Sequence, residues 1–285
     1  MPFSIRALSF DADNCLFHVG YQPSREDIAR GDSEHVITEN QPLLDKLKSQ
    51  NAAFKKTIVL TGSLRQSFEI DSAESKRNLT EPFFKAIPKI AHYLEATLDK
   101  FLTADIYANV ESGTSFELAV NHPSKKQNTC MRDESKLSIL YAQTHKLANQ
   151  YPDESILFEF YDDRGCGVWE VTTDLLETLH AYFTLHADML PCNVTLRLNH
   201  YEGTDVTPYS DIQGTGFIDE NYRRTTPKIA TKALETWHSL MHITPISLRS
   251  RKPLDTAFRL SDFPHFLSLL RPEPPISPED ILLVP

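Results

Sequence analysis

Cysteine is scarce in this chain, with Cys15, Cys130, Cys166 and Cys192 the only four in 285 residues. None belongs to a CxxC pair and none stands at zinc-type spacing from a histidine, which argues against a disulfide-stapled or zinc-ribbon fold and for free thiols in a reducing compartment. No stretch approaches the ~18 consecutive apolar residues of a membrane-spanning helix. Residues 1–6 carry no basic segment followed by a long apolar run. No cleavable signal peptide is therefore expected, and a cytoplasmic working site is the default. A basic excess is also missing: 29 Lys and Arg face 39 Asp and Glu, for a net charge of −10. That balance disfavours a general nucleic-acid binder and leaves room only for a local basic face. There is no internal repeat.

What is present fits one large α/β domain or a core with an inserted module. Short apolar runs recur at residues 5–10, 57–60, 105–110, 116–120, 156–161 and 194–198. Most are flanked by segments with helical spacing, so the runs read as strands of a mainly parallel sheet covered on both faces by helices. Leu137, Leu140, Tyr141, Leu147 and Ala148 share one face of a helix predicted over 133–149, with Asp133 as its cap. A second helix is predicted over 173–189, stopped by Pro191, and a shorter one over 41–49. Residues 81–102 read as an extra helical element, within a lid-like insertion around 81–132. Residues 202–226 are turn-rich, 231–241 suit a final helix, and the five prolines between 271 and 285 mark an extended tail.

Three of these runs end in polar, ligand-type residues. The first is followed by Asp11-Ala12-Asp13, whose alternating side chains bring two carboxylates to one side if the strand continues. The run 57–60 is followed by Thr61-Gly62-Ser63, a hydroxyl and backbone amides that can cradle a phosphate, and the run 156–161 by Asp162-Asp163. Carboxyl ends of parallel strands are where open α/β sheets bind ligands. Each segment alone has a plainer reading: an acidic turn for either Asp pair, a helix cap for Thr61. It is their order along one chain that points to chemistry.

That ordered set resembles the haloacid dehalogenase (HAD) superfamily, whose four motifs occur in the same sequence. Asp11-Ala12-Asp13 matches the first, Thr61 the second and Asp162-Asp163 the fourth. Lys136 fits the third, 26 residues before Asp162, with Lys125, Lys126 and Lys146 as competitors. The resemblance covers residues 5–200 and implies a Rossmann-like HAD core over 1–200. A C-terminal extension over 201–270 and a Pro-rich tail over 271–285 would follow. It further implies that Asp11 is the nucleophile that becomes an aspartyl-phosphate, and that Asp13 is the acid and base. Thr61, Gly62 and Lys136 would hold the phosphoryl oxygens. Mg²⁺ would be bound by the carboxylates of Asp11 and Asp162 and the backbone carbonyl of Asp13, with Asp163 supporting its waters. Asn14 and Cys15 stand where the family most often has glycine and threonine. The second carboxylate, Asp13, favours phosphoester hydrolysis over dehalogenation.

Only a short segment separates the first two motifs, too small for an independent cap. Within the family such lightly capped sites are open to bulky substrates, so the expected substrate is a phosphoprotein, phosphotyrosine included. The alternatives are a small-metabolite phosphatase or phosphotransferase, and a non-catalytic interaction protein on the same scaffold. The tail, with Glu273, Glu279 and Asp280, suits an export signal of a secreted bacterial effector, some of which carry HAD-like phosphatase domains. The basic cluster Arg223, Arg224, Lys228, Lys232, Arg249, Arg251 and Lys252 can meet a partner or anionic lipid, with a solvated helical face as the plainer account. His238 and His242 have zinc-compatible i, i+4 spacing but no acidic residue between them. Cys15 lacks the Cys-x5-Arg phosphate loop of a thiol nucleophile and reads as a packed residue.

Overall fold

The computed structural model describes residues 3–24, 34–164 and 175–243, with side chains through 233. The chain opens with β1 (Ile5–Phe10), buried at all six positions, as a central strand covered on both faces must be. Helices α1 (His35–Glu39) and α2 (Gln41–Asn51) lead to β2 (Lys56–Thr61). Helices α3 (Phe68–Asn78) and α4 (Phe83–Tyr93) then lead to the two-residue strand β3 (Thr97–Leu98). Next come α5 (Thr103–Tyr107), α6 (Thr114–Asn121), α7 (Leu137–Gln150) and β4 (Ile156–Asp162). Helix α8 (Leu175–Leu185) precedes β5 (Val194–His200), and two-residue strands β6 (Thr207–Pro208) and β7 (Ile212–Gln213) precede the long α9 (Tyr222–Ile243).

The sheet runs in the order β3-β2-β1-β4-β5-β6, with β7 also on β5. β1 to β5 are parallel, and β6 and β7 pair antiparallel with β5. The molecule is therefore an α/β protein with a mixed, mostly parallel sheet, compatible with a Rossmann-like fold. One face, carrying Ala7, Leu60, Phe158 and Leu196, packs on Leu140 of α7, Leu179 of α8 and Ile229 of α9. The other, carrying Leu8, Phe10 and Val59, packs on Leu44 and Leu47 of α2 and Ile87 and Ile90 of α4. Among the described residues no helix is long and apolar enough to cross a membrane.

An arginine in the central strand needs unusual support. Arg6 is buried and its Nε donates to Glu159 Oε2 at 2.6 Å, while its Nη atoms reach Leu47 O and Asn51 Oδ1 at 3.0 Å and Gln50 Oε1 at 2.8 Å. The guanidinium thus ties β1 to β4 and to the last turn of α2.

Four of the six predicted strands are present, and two are corrected. Asp105 lies in α5, and Phe116 and Ala119 are buried on α6. The cause is the Asp105 carboxylate, which accepts N–H bonds from Leu102 (3.1 Å), Gly113 (2.8 Å) and Ser115 (2.7 Å) and so satisfies donors at the start of both helices. The helical element expected over 81–102 is present in part. Residues 83–98 make the crossover helix α4, packed on β2, and the edge strand β3. The predicted helix over 133–149 begins four residues later, at Leu137. The prediction over 173–189 is met by α8 and a 3₁₀ turn at Ala187–Met189, its first two residues lying outside the described part. The tail over 271–285 and any contribution of Arg249, Arg251 and Lys252 also lie outside it.

Candidate active site

Strand register assembles the site. Phe10 pairs with Thr61 on one side and with Tyr161 on the other, so Asp11, Gly62 and Asp162 emerge level at the carboxyl ends of three parallel strands. The sheet order reverses between β1 and β4, and the crevice outside such a switch point is the usual ligand site of an open α/β sheet. A cavity of about 920 Å³ lies there, lined among others by Asp11, Asp13, Ser63, Arg65, Lys136 and Asp163.

Lys136 is the lysine that reaches the strand ends. Its side chain is fully buried and its Nζ bridges Asp11 Oδ1, at 2.9 Å, and Asp162 Oδ2. The residue precedes α7 with φ 57°, ψ 3°, a left-handed conformation that costs a non-glycine residue about 1–2 kcal/mol. Asp133 holds the turn in place, its carboxylate accepting the backbone N–H of Ser135 (3.0 Å) and of Ser138 (2.9 Å) on either side of Lys136. The competitors are elsewhere: Lys146 pairs with Asp99, and Lys125 and Lys126 are exposed. Burial works against the Lys136 ammonium, but Asp11 and Asp162 outweigh it and raise its pKa.

The carboxylates are differentiated by their neighbours. Burial pushes Asp11 above the ordinary carboxylate range, with Lys136 opposing. Burial likewise acts on Asp162, yet Lys136 and Arg164 outweigh it and hold this group low. The Arg164 backbone N–H also donates to Asp162 Oδ1 at 2.9 Å. Asp163 is pushed up to about 8 by burial and by the neighbouring Asp162 and Asp11. Asp11, Asp162 and Asp163 each offer an oxygen, and these atoms lie within 4.8 Å of one another. Three hard oxygen donors, two of them buried, are a donor set suited to a divalent cation.

Asp13 points to other partners. Arg65 grips it with a fork, Nε to Oδ2 at 3.0 Å and Nη2 to Oδ1 at 2.5 Å, and Asn78 Nδ2 donates to Oδ1 at 2.7 Å. Burial raises the Asp13 pKa, but the hydrogen bonds and charge of Arg65, with Asn78, lower it further than burial lifts it. The Asp13 carboxylate is not among the three that converge.

Thr61 is buried, and its Oγ1 has no hydrogen-bond partner among the described residues. Its carbonyl is fixed by Gln66 Nε2 and Gln143 Nε2, each at 2.8 Å. Gly62 departs from the phosphate-binding expectation. Its N–H donates to Phe10 O at 2.8 Å, and a Cβ placed on it would stand 2.6 Å from Ser9 Oγ and 2.8 Å from Phe160 Cε2. Close packing beneath the sheet end, rather than anion binding, accounts for this glycine. Cys15 is wholly buried, and burial together with Asp11 and Asp162 pushes its thiol well above the ordinary value, as suits a packed residue.

Sequence reasoning missed Arg65, Asn78 and Arg164. No motif marks them; the only available signal was that Arg65 and Arg164 follow the second and fourth strand-end segments closely. Of the basic cluster, Arg223 is spent on the carbonyls of Asp105 (2.8 Å) and Val110 (2.5 Å), which joins α9 to the 103–110 segment. His238 and His242 lie beyond the described side chains. Comparison of the chain with protein-family models, with characterised proteins and with solved structures found no significant match.

Proposed function

We propose that this protein is a Mg²⁺-dependent phosphatase of the HAD type that hydrolyses phosphomonoesters on protein substrates. The observation that carries the reading is the buried Lys136 bridging Asp11 and Asp162 at the sheet's switch point, with Asp163 alongside and Asp13 two residues on. In the first step an Asp11 carboxylate oxygen bonds to phosphorus as the ester oxygen leaves and takes a proton from Asp13, giving an aspartyl-phosphate and a free alcohol. In the second, water bonds to phosphorus, its proton passes to Asp13, and the Asp11–phosphorus linkage breaks to release phosphate. Three donors on the Asp13 carboxylate favour its ionised form, which is the one that accepts the proton from water, and the proton so gained is the one that it gives to the leaving oxygen of the next turnover.

Asp11, Asp162 and Asp163, with the Asp13 backbone carbonyl, would hold the Mg²⁺, which when bound neutralises charge on the phosphoryl oxygens. The buried Thr61 hydroxyl, without a partner of its own, and the Lys136 ammonium suit the same oxygens. The cavity's described walls are the loop after β1, the end of α3 and the segment before α7, with no separate cap domain among the described residues. A site without a separate cap among the described residues favours a phosphorylated side chain on a protein. A panel of phosphopeptides and sugar phosphates, assayed with Mg²⁺, tests this: the reading predicts higher kcat/KM for phosphopeptides, phosphotyrosine included. A strong preference for sugar phosphates would reject the protein substrate.

A further inference from the structure

The Arg65 side chain is fully buried, and it has five N–H donors to place. Five acceptors meet them. Nε donates to Asp13 Oδ2 (3.0 Å) and Nη2 to Asp13 Oδ1 (2.5 Å) and Thr80 Oγ1 (3.3 Å). Nη1 donates to Asp71 Oδ1 (3.0 Å) and Ser75 Oγ (2.8 Å). Its inner anchor is itself pinned, since Asp71 also accepts the backbone N–H of Phe83 at 2.8 Å and of Phe84 at 3.3 Å, at the start of α4. The Phe17 ring lies 5.3 Å below the guanidinium. Arg65 therefore has no free donor and no room to swing, and the plane of the Asp13 carboxylate follows from its own.

A carboxylate accepts at about four lone-pair positions. On Asp13, Oδ1 already receives two donors, from Arg65 and Asn78, and Oδ2 receives one, from Arg65. Among the described residues the open position is on Oδ2, and Asp13 lines the cavity. We propose that Arg65 and Asn78 are positioning residues that fix the Asp13 carboxylate so that Oδ2 is the atom exchanging a proton in the reaction. This rests on the phosphatase reading above. In the hydrolytic step the water proton goes to Oδ2 while the water oxygen bonds to phosphorus and the bond from Asp11 to phosphorus breaks. A carboxylate held in plane by three donors spends no reorganisation at that moment.

The test uses the full chain, para-nitrophenyl phosphate and Mg²⁺. Asn78 is exposed, so Asn78→Ala leaves the Arg65 framework standing. It should keep the wild-type melting temperature and KM and lower kcat about tenfold, and Arg65→Lys, which loses the fork, about a hundredfold. In an Asp13→Ala background, Asn78→Ala should change the residual kcat by less than about twofold, because its effect passes through Asp13. A loss confined to KM, an equal loss in both backgrounds, or no loss at all would overturn the positioning role. If Arg65→Lys does not fold, the Asn78 comparison decides alone. A wild-type protein without Mg²⁺-dependent turnover would overturn the phosphatase reading and this inference with it. Turnover that needs Asp11 but shows additive losses at Asn78 and Asp13 would overturn the positioning role only.

Discussion

Two buried cationic side chains organise the carboxylates at the end of the sheet. Lys136 sits between Asp11 and Asp162, and Arg65 between Asp13 and Asp71. Each keeps a pair of carboxylates close without leaving buried charge unpaired, which would cost several kcal/mol. A buried neutral group shows the opposite device. His145 accepts the Asp219 N–H at Nδ1 (3.0 Å) and its Nε2 lies 3.2 Å from Met189 O, so the neutral ring satisfies both contacts. Burial lowers its pKa from 6.5 to about 4. Because the folded value is depressed, protonation favours the unfolded chain: the stabilisation is complete above pH 6.5 and is lost as pH falls toward 4. At pH 5 the loss from this residue is about 2 kcal/mol. Urea unfolding at pH 7 and pH 5 should therefore show a smaller pH effect in His145→Gln than in wild type. Equal pH effects in the two proteins would refute the assignment.

The strands show why some elements could be read from sequence and others could not. β1, β2 and β4 are mostly apolar, interrupted by Arg6 and Ser9 in β1 and by Glu159 in β4, and β5 alternates Val194, Leu196 and Leu198 with polar residues, so the sequence marks all four as strands. The runs at 105–110 and 116–120 look the same over so few residues, and periodicity cannot separate a short buried strand from a short buried helix. What decides them is the long-range capping by Asp105, which no local pattern contains. Likewise the apolar spacing of 83–93 identifies a helix but not that it crosses over to an edge strand. The end of β2 carries a test of packing. Gly62→Ala brings a methyl to 2.6 Å from Ser9 Oγ and 2.8 Å from Phe160 Cε2, and overpacking of this kind costs about 1–3 kcal/mol. Denaturant unfolding should show that loss; wild-type stability would mean that Gly62 is there for another reason.

Over the whole molecule, one sheet with two covered faces turns residues far apart in sequence into neighbours. Asp11, Thr61, Lys136, Asp162 and Asp163 were legible because each ends or follows a strand or precedes a long helix, and topology then brings them to one edge. Arg65, Asn78 and Arg164 were not legible, since an isolated arginine or asparagine gains meaning only from the carboxylate it meets in three dimensions. Gly62 was read for its backbone and turned out to matter for its missing side chain. The central claim is that Asp11 is the nucleophile of a Mg²⁺-dependent phosphatase. Turnover of para-nitrophenyl phosphate by wild type and Asp11→Asn, each with Mg²⁺ and with a chelator, tests it most directly. The account predicts turnover by wild type with Mg²⁺ alone, and a loss of about 10³-fold or more in Asp11→Asn. Wild-type turnover retained in Asp11→Asn, or activity indifferent to Mg²⁺, would contradict it.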